Sequence, residues 1–310
     1  MAIVYTIRDP RIKPDISEYE DYTRFIHSRY FGCVLDVLMS DGPGLASGGT
    51  IRDWSRFQAK GTLNANATVE IHMNPYQGFG ASYRGNNNAS GTRLTFSDAP
   101  QYDITGELTL TTWIFIEAVP DGAGNQGVLS KYIKAGNNRS YDLAVIETGG
   151  NVAVRFGIAP NGTTTGSNFF NSTTTLPLQQ WVMITGTFLP SASMKIFING
   201  RLDAEDTTGI PANAFNGSGD VYIGSQFDDL ATNSFDGYIA QSRIYNRILS
   251  DAEILSLYTD PYLEYREPII SLFGSTAPPI GGRIMSKLTG EGGGLVGYGG
   301  LAGQHGGLVA

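Results

Sequence analysis

The sequence predicts an all-β protein whose strands are short, numerous and stacked in two layers. Three observations carry this. Gly, Ser, Thr and Asn are abundant while charged residues make up only 16% of the 310-residue chain, so apolar and β-branched runs are punctuated by turn formers. Hairpin chemistry stands at Gly149-Gly150-Asn151 and at Asn199-Gly200, each between runs of strand character. The stretch 108–116 alternates, with Leu108, Leu110, Ile114 and Ile116 on one side and Trp113 and Phe115 on the other. Both faces are apolar at its end, which marks a central strand between two layers.

The totals set bounds. At 41% hydrophobic residues the chain supplies a sizeable core. The net charge of -8 and the lack of any Lys/Arg cluster exclude a phosphate-tracking surface, so no nucleic-acid partner is expected. Cys33 is the single cysteine, which rules out a disulfide within the chain and reads as a buried, inert thiol. Residues 1–10 lack the apolar core of a secretory signal, and no run approaches the length of a membrane span. The expectation is a chain made in the cytosol, with no membrane partner. Six N-x-S/T triplets, at Asn66, Asn88, Asn138, Asn161, Asn171 and Asn216, then read as products of loop composition.

Taken in order, residues 1–30 form an arm outside the sandwich. Pro10 and Pro14 break it, and Asp15 with Glu18 has capping-box spacing for a helix running to about Arg29. The arm packs either on its own domain or on a neighbouring subunit. Residues 31–261 form the sandwich. Strand character appears at Cys33 to Asp36, Thr68 to His72, Arg93 to Phe96, Val128 to Lys131, Tyr141 to Ile146, Val152 to Ile158, Trp181 to Phe188, Met194 to Ile198 and Val221 to Gly224. Residues 159–177 read as a long polar loop carrying the pair Phe169-Phe170. The stretch 234–258 reads as a tight turn at Phe235-Asp236-Gly237, a strand, and a short helix. Ser250 caps that helix, Glu253 completes a capping box, and Ile254, Leu257 and Tyr258 form its apolar stripe. Residues 262–310 are a connector and a Gly-rich tail, in which Gly293-Gly-Leu-Val, Gly299-Gly-Leu-Ala and Gly306-Gly-Leu-Val recur. Such a tail is either a disordered linker or a close-packing element between subunits.

The stretch 234–258, S-F-D-G-Y-I-A-Q-S-R-I-Y-N-R-I-L-S-D-A-E-I-L-S-L-Y, resembles the closing signature of the concanavalin A-like lectin/glucanase superfamily, in its laminin-G-like branch. That signature is of the type F-x-G-x-I-D-D-V-R-I-Y-N-R-A-L-S-x-x-E-I-x-x-L-Y. Other stretches are similar to family elements: Asp53-Trp-Ser55 to a D-x-S turn, residues 108–114 to F-T-I-S-A-W-I, residues 181–188 to W-x-H-V-A-x-T-Y with Met183 at the His position, and Ile196 to Gly200 to I-Y-V-N-G. The resemblance covers about residues 32–260 and implies a concanavalin A-like jelly-roll sandwich of two antiparallel sheets.

No catalytic residue is expected. Superfamily hydrolases place carboxylates on one strand as E-x-D-x-E. The nearest run here, Asp203-Ala-Glu205-Asp206, lacks that spacing and reads as a solvated loop. Three His residues, at 27, 72 and 305, support neither a zinc site nor a triad. No cofactor or metal is expected either. The resemblance implies calcium at a sheet edge in many relatives, but Ala240-Gln241 stands where the family has paired acids; Asp228, Asp229 and Asp236 could form a substitute calcium cluster, though closely spaced Asp in a loop more often forms turns.

Sugar binding needs an aromatic platform among amide and carboxylate groups. The ligand-binding candidates are Asn168, Phe169, Phe170 and Asn171 on one loop, with Asp228 and Asn233 on another. The alternative is that the two Phe residues fold back onto the sheet or plug into a partner subunit. The resulting expectation is a non-catalytic virion structural, decoration or fibre protein of a bacteriophage, a homo-oligomer whose partners are itself, other virion proteins and host-surface glycans. A free carbohydrate-binding module and a diverged glycan hydrolase stand as alternatives.

Overall fold

The computed structural model describes residues 31–64, 66–70, 82–85, 92–120, 125–226 and 233–261. The arm of residues 1–30, the connector and tail of residues 262–310, and Asp228 and Asp229 lie outside the described residues. The strands are β1 (Cys33–Leu38), β2 (Thr50–Arg52), β3 (Lys60–Asn64), β4 (Thr68–Glu70), β5 (Ser82–Arg84), β6 (Arg93–Phe96), β7 (Leu108–Ile116), β8 (Gln126–Ile133), β9 (Asn138–Thr148), β10 (Asn151–Gly162), β11 (Asn168–Asn171), β12 (Trp181–Leu189), β13 (Ser193–Ile198), β14 (Arg201–Asp206), β15 (Val221–Ile223) and β16 (Gly237–Tyr245). Helix α1 (Asp251–Thr259) follows.

Two antiparallel sheets result. The first runs β14-β13-β12-β7-β16-β5-β4, with β1 pairing the stretch of β16 beyond β5. The second runs β11-β10-β9-β8-β15-β6-β3-β2. Strand alternation fills the space between them: Leu110, Ile114, Ile184, Ile196, Ile239 and Ile244 from the first sheet meet Leu94, Leu129, Leu143, Val154, Phe156 and Ile223 from the second. As expected, β7 is central, flanked by β12 and β16.

The reason β7 is apolar on both faces lies outside the sandwich. Helix α1 covers the outer face of the first sheet, and Trp113, Met183, Phe197, Ala240 and Tyr245 join its Ile254 and Leu257 in a second apolar layer. Tyr258 stacks on Trp113, with ring centroids 5.5 Å apart. The helix starts where the sequence puts it: Ser250 Oγ accepts from Glu253 N, and the Glu253 carboxylate accepts from Ser250 N. Arg247 also donates to that carboxylate at 2.6 Å, and this hydrogen bond holds the Glu253 carboxyl down at about 2. Replacing Ser250 by alanine is expected to cost about 1 kcal/mol of unfolding free energy, read by urea titration, because it strips the cap from an exposed helix start.

Two expectations need correction. Residues 159–177 are not one loop: β10 runs on to Gly162, and Asn168–Asn171 forms the edge strand β11, in register with Arg155 to Ile158. The run Asp203 to Asp206 is not a loop either but part of edge strand β14. Its acids are tied down. Asp203 accepts from Thr173 N (2.7 Å) and Thr174 N (3.1 Å), and Asp206 accepts from Asn168 Nδ2 (2.9 Å) and Thr208 N (2.8 Å). Glu205 pairs with Lys195 across the β13–β14 ladder. The bonds from Asn168, Thr173 and Thr174 join the edge of one sheet to the edge of the other, a link between residues 29 or more apart that local composition does not encode.

Candidate functional site

The outer face of the second sheet carries the least ordinary chemistry. In β9 and β10 the inward positions are Tyr141, Leu143, Val145, Val152, Val154, Phe156 and Ile158. The opposite parity therefore sends Ser140, Asp142 and Ala144, with Ala153, Arg155 and Gly157, to the outside. Small residues there let larger groups lie down on the sheet. A Cβ at Gly157 would overlap the Phe169 ring, and one at Gly127 would overlap the backbone of Gln226. Phe169 thus enters from the β11 edge and Gln226 from the other side, with Asp142 between them: Gly157 is in register with both Phe169 and Asp142.

Four side chains form a continuous stack. The Arg155 guanidinium lies 4.2 Å from the Phe169 centroid, Phe169 meets Tyr132 edge-on at 5.9 Å, and the Arg139 guanidinium lies 5.8 Å from the Tyr132 centroid. Such pairs of cation and ring are attractive and strengthen as water is removed. Arg139 also donates to the Gly162 carbonyl at 3.4 Å. Among the described residues neither guanidinium meets a carboxylate at ion-pairing distance, and both Nε atoms are buried without an acceptor.

Asp142 is the acid that faces this stack. It is fully buried, accepts from Gln226 Nε2 at 2.6 Å through Oδ2, and leaves Oδ1 without a hydrogen-bond donor. Burial pushes its carboxyl up to about 7, against the opposing pull of Arg155 and the Gln226 hydrogen bond. At neutral pH the stack is therefore only partly compensated.

The predicted ligand residues divide around this face. Phe169 belongs to the stack. Phe170, one residue on in a strand, points the other way and packs inward on Phe156 (6.5 Å), so it is no part of an exposed platform. Asn168 is occupied by Asp206 and the Thr208 carbonyl, while Asn171 is exposed and in register with Arg155. Asn233 is buried; its side chain donates to the Asn125 carbonyl (3.0 Å) and its own carbonyl accepts from Gln226 N (3.2 Å), so it braces the residue that holds Asp142. Asp228 lies outside the described residues. Arg139, Arg155, Tyr132, Asp142 and Gln226 were not anticipated. Their one sequence signal is that outward positions of β9 and β10 hold Asp142 and Arg155 where Thr or Ser would suffice.

At the position of the family's paired acids, Ala240 packs beneath α1 and Gln241 Nε2 donates to the Pro261 carbonyl. Asp236 lies 3.5 Å from Arg84. Among the described residues no three His, Cys, Asp or Glu side chains converge.

Known proteins can be set beside this geometry. Among solved structures the chain is similar to the binding domain of Paraclostridial Mosquitocidal Protein 1, at 11% identity and a TM-score of 0.53, over 76% of this chain and 53% of that one. It is similar to the binding domain of botulinum neurotoxin DC in complex with SialylT, at 15% identity and a TM-score of 0.53, over 75% and 52%. It is similar too to the ligand binding domain of botulinum neurotoxin serotype D in complex with N-acetylneuraminic acid, at 15% identity and a TM-score of 0.54, over 77% and 53%. The chain spans about half the length of these structures, and the likeness is one of fold. No curated protein sequence matches. A laminin-G-type family model, described as the concanavalin A-like lectin/glucanases superfamily, matches residues 87–255, more than half of the chain. With the two antiparallel sheets and the capped closing helix in place, the chain belongs to the concanavalin A-like lectin/glucanase superfamily, in its laminin-G-like branch.

Proposed function

We propose that the chain is a non-catalytic glycan-binding module whose ligand carries acid groups, held at the Arg155–Phe169–Tyr132–Arg139 stack. The observation that carries this reading is two guanidinium groups laid on aromatic rings with no carboxylate at pairing distance among the described residues. A guanidinium fork matches a sugar carboxylate or sulfate with paired donors, and a flanking ring covers the apolar face of the sugar. The stack opens at the β11 edge, where Phe169 and Arg155 are partly exposed and Asn171 is exposed. Two of the structures with this fold were solved with ligands named SialylT and N-acetylneuraminic acid; for this chain an acidic sugar enters as part of the proposal. The commitment of Asp203, Glu205 and Asp206 to backbone and ion-pair contacts favours binding over hydrolysis.

An array of acidic and neutral oligosaccharides probed with the full chain tests this. Retention of sialylated, uronate or sulfated glycans is expected, weakening as salt rises. Arg155→Ala is expected to weaken that binding by about 10-fold or more, since a hydrogen bond to a charged group contributes about 1.5–3 kcal/mol. Acidic glycans that bind wild type and variant alike, or none that bind at all, would refute the reading. Assembly into a virion rests on residues 1–30 and 262–310, which lie outside the described residues, and no observation on the sandwich favours it.

A further inference from the structure

The apolar layer beneath α1 does not end at the helix. On the outer face of the first sheet Trp113 is in register with Gln241 of β16 and Met183 of β12. Two residues further along β7, Phe115 is in register with Tyr238 on one side and Trp181 on the other. The period of two keeps this second row on the same face, about 7 Å beyond the first. Its rings touch in sequence: the Phe115 centroid lies 5.7 Å from that of Trp181, and Phe115 meets Tyr238 edge-on at 6.0 Å. All three are partly exposed, whereas Trp113 and Met183 are buried. Trp181 also packs against the layer that holds Ile254 and Leu257, so the two rows form one apolar surface. At its β5 end that surface has a charged border, where the Arg84 guanidinium lies 4.9 Å from the Tyr238 centroid and pairs with Glu117 at 2.6 Å.

The chain leaves α1 beside this row. Pro261 is buried, and its carbonyl accepts from Gln241 Nε2 (3.4 Å) and Arg243 Nη2 (3.0 Å), both on β16. The last residue described after the helix is thus anchored one row away from Tyr238. Next in the sequence comes Tyr262-Leu-Glu-Tyr-Arg-Glu-Pro268, with Tyr262, Leu263 and Tyr265 in its first four residues. A linker leading straight into solvent has no use for such side chains. From β16 across β7 to β12 is two strand spacings, about 10 Å, which an extended chain covers in about three residues.

We infer that residues 262–268 dock on this row, with Tyr262, Leu263 and Tyr265 laid against Tyr238, Phe115 and Trp181. The occupant is the chain's own segment because the tether at Pro261 presents it at an effective concentration of about millimolar, which a free partner or a second copy has to match. Docking commits the outer face of the first sheet to the chain itself and leaves the arginine-bearing face of the second sheet to a ligand. It is independent of what that ligand is.

Hydrogen exchange read by mass spectrometry on the full chain is the test. Amides of residues 263–267 are expected to exchange about 10-fold or more slowly than those of an unstructured chain, with no change on dilution. Trp181→Ala and Tyr238→Ser, at partly exposed rings, are each expected to remove most of that protection while the amides of β9 and β10 keep theirs. Tyr262→Ser combined with Tyr265→Ser is expected to do the same and to increase acrylamide quenching of tryptophan fluorescence. That pair lies outside the sandwich, so it decides the matter if a ring variant also loosens β9 and β10. Exchange of residues 263–267 at unstructured rates in wild type, or protection that survives the Tyr262 and Tyr265 changes, would overturn the inference. So would protection lost on dilution, which would assign the row to a second copy.

Discussion

Arg243→Ala is expected to lower the unfolding free energy by about 3–5 kcal/mol, the cost of breaking a buried ion pair from one side. Arg243 is 2% exposed and Asp36 fully buried; Arg243 Nε donates to Asp36 Oδ1 at 3.0 Å across the β1–β16 ladder, where the two residues are in register. Its Nη2 also donates to the Pro261 carbonyl at 3.0 Å, which ties the segment after α1 back to the sheet. Urea titration at pH 7 reads the loss as a lower midpoint at unchanged slope. The sharper measurement is a cycle with Asp36→Leu and Arg243→Met. Each single change breaks the pair and leaves one of its two buried charges in place, whereas the double change removes both, so it should be more stable than either single variant. If the single variants each cost less than about 1 kcal/mol, the ion pair is not what joins β1 to β16.

This pair explains why the closing stretch was so legible in the sequence. Nearly every recognisable position from Phe235 to Tyr258 has a structural duty: Phe235 lies in the core, Arg243 pairs with Asp36, Asn246 N bonds Gly32 O, Arg247 donates to Phe31 O and Glu253, and Ser250 caps the helix. Such constraints act over a few residues or between neighbouring strands, and they leave a local pattern. The proposed binding face leaves only Asp142 and Arg155 at outward strand positions. Phe169 and Phe170 look equivalent in a Gly/Thr/Asn-rich stretch until the register of β11 fixes their parity and sends them to opposite sides. Asp142 meets Gln226 across 84 residues, and the row of Trp181, Phe115 and Tyr238 is assembled from β12, β7 and β16. Those juxtapositions belong to the topology.

Asp142→Asn is expected to make stability less dependent on pH, with the variant overtaking wild type as the solution becomes more alkaline. The folded-state carboxyl lies near 7, above its ordinary value of 3.8, because burial opposes its ionisation. Between those values the unfolded chain has released the proton and the folded chain retains it, so wild-type stability falls as pH rises from about 4 to about 7. At about 1.4 kcal/mol per pH unit the gap amounts to roughly 4 kcal/mol, an upper bound because the neighbouring Arg155 relaxes toward the charged form. Asparagine keeps an acceptor for Gln226 Nε2 and carries no charge. Paired melts of the two proteins at pH 4, 6 and 8 should coincide within a few degrees at pH 4 and separate in favour of the variant at pH 8. A difference that stays constant across the series would place the carboxyl at its ordinary value. The same group bears on the proposed site: protonated, it leaves Arg155 uncompensated; ionised, it competes with an acidic ligand for that guanidinium. Acidic-glycan binding by wild type is therefore expected to weaken from pH 6 to pH 8, while Asp142→Asn holds its affinity level, because a ligand carboxylate or sulfate stays ionised throughout.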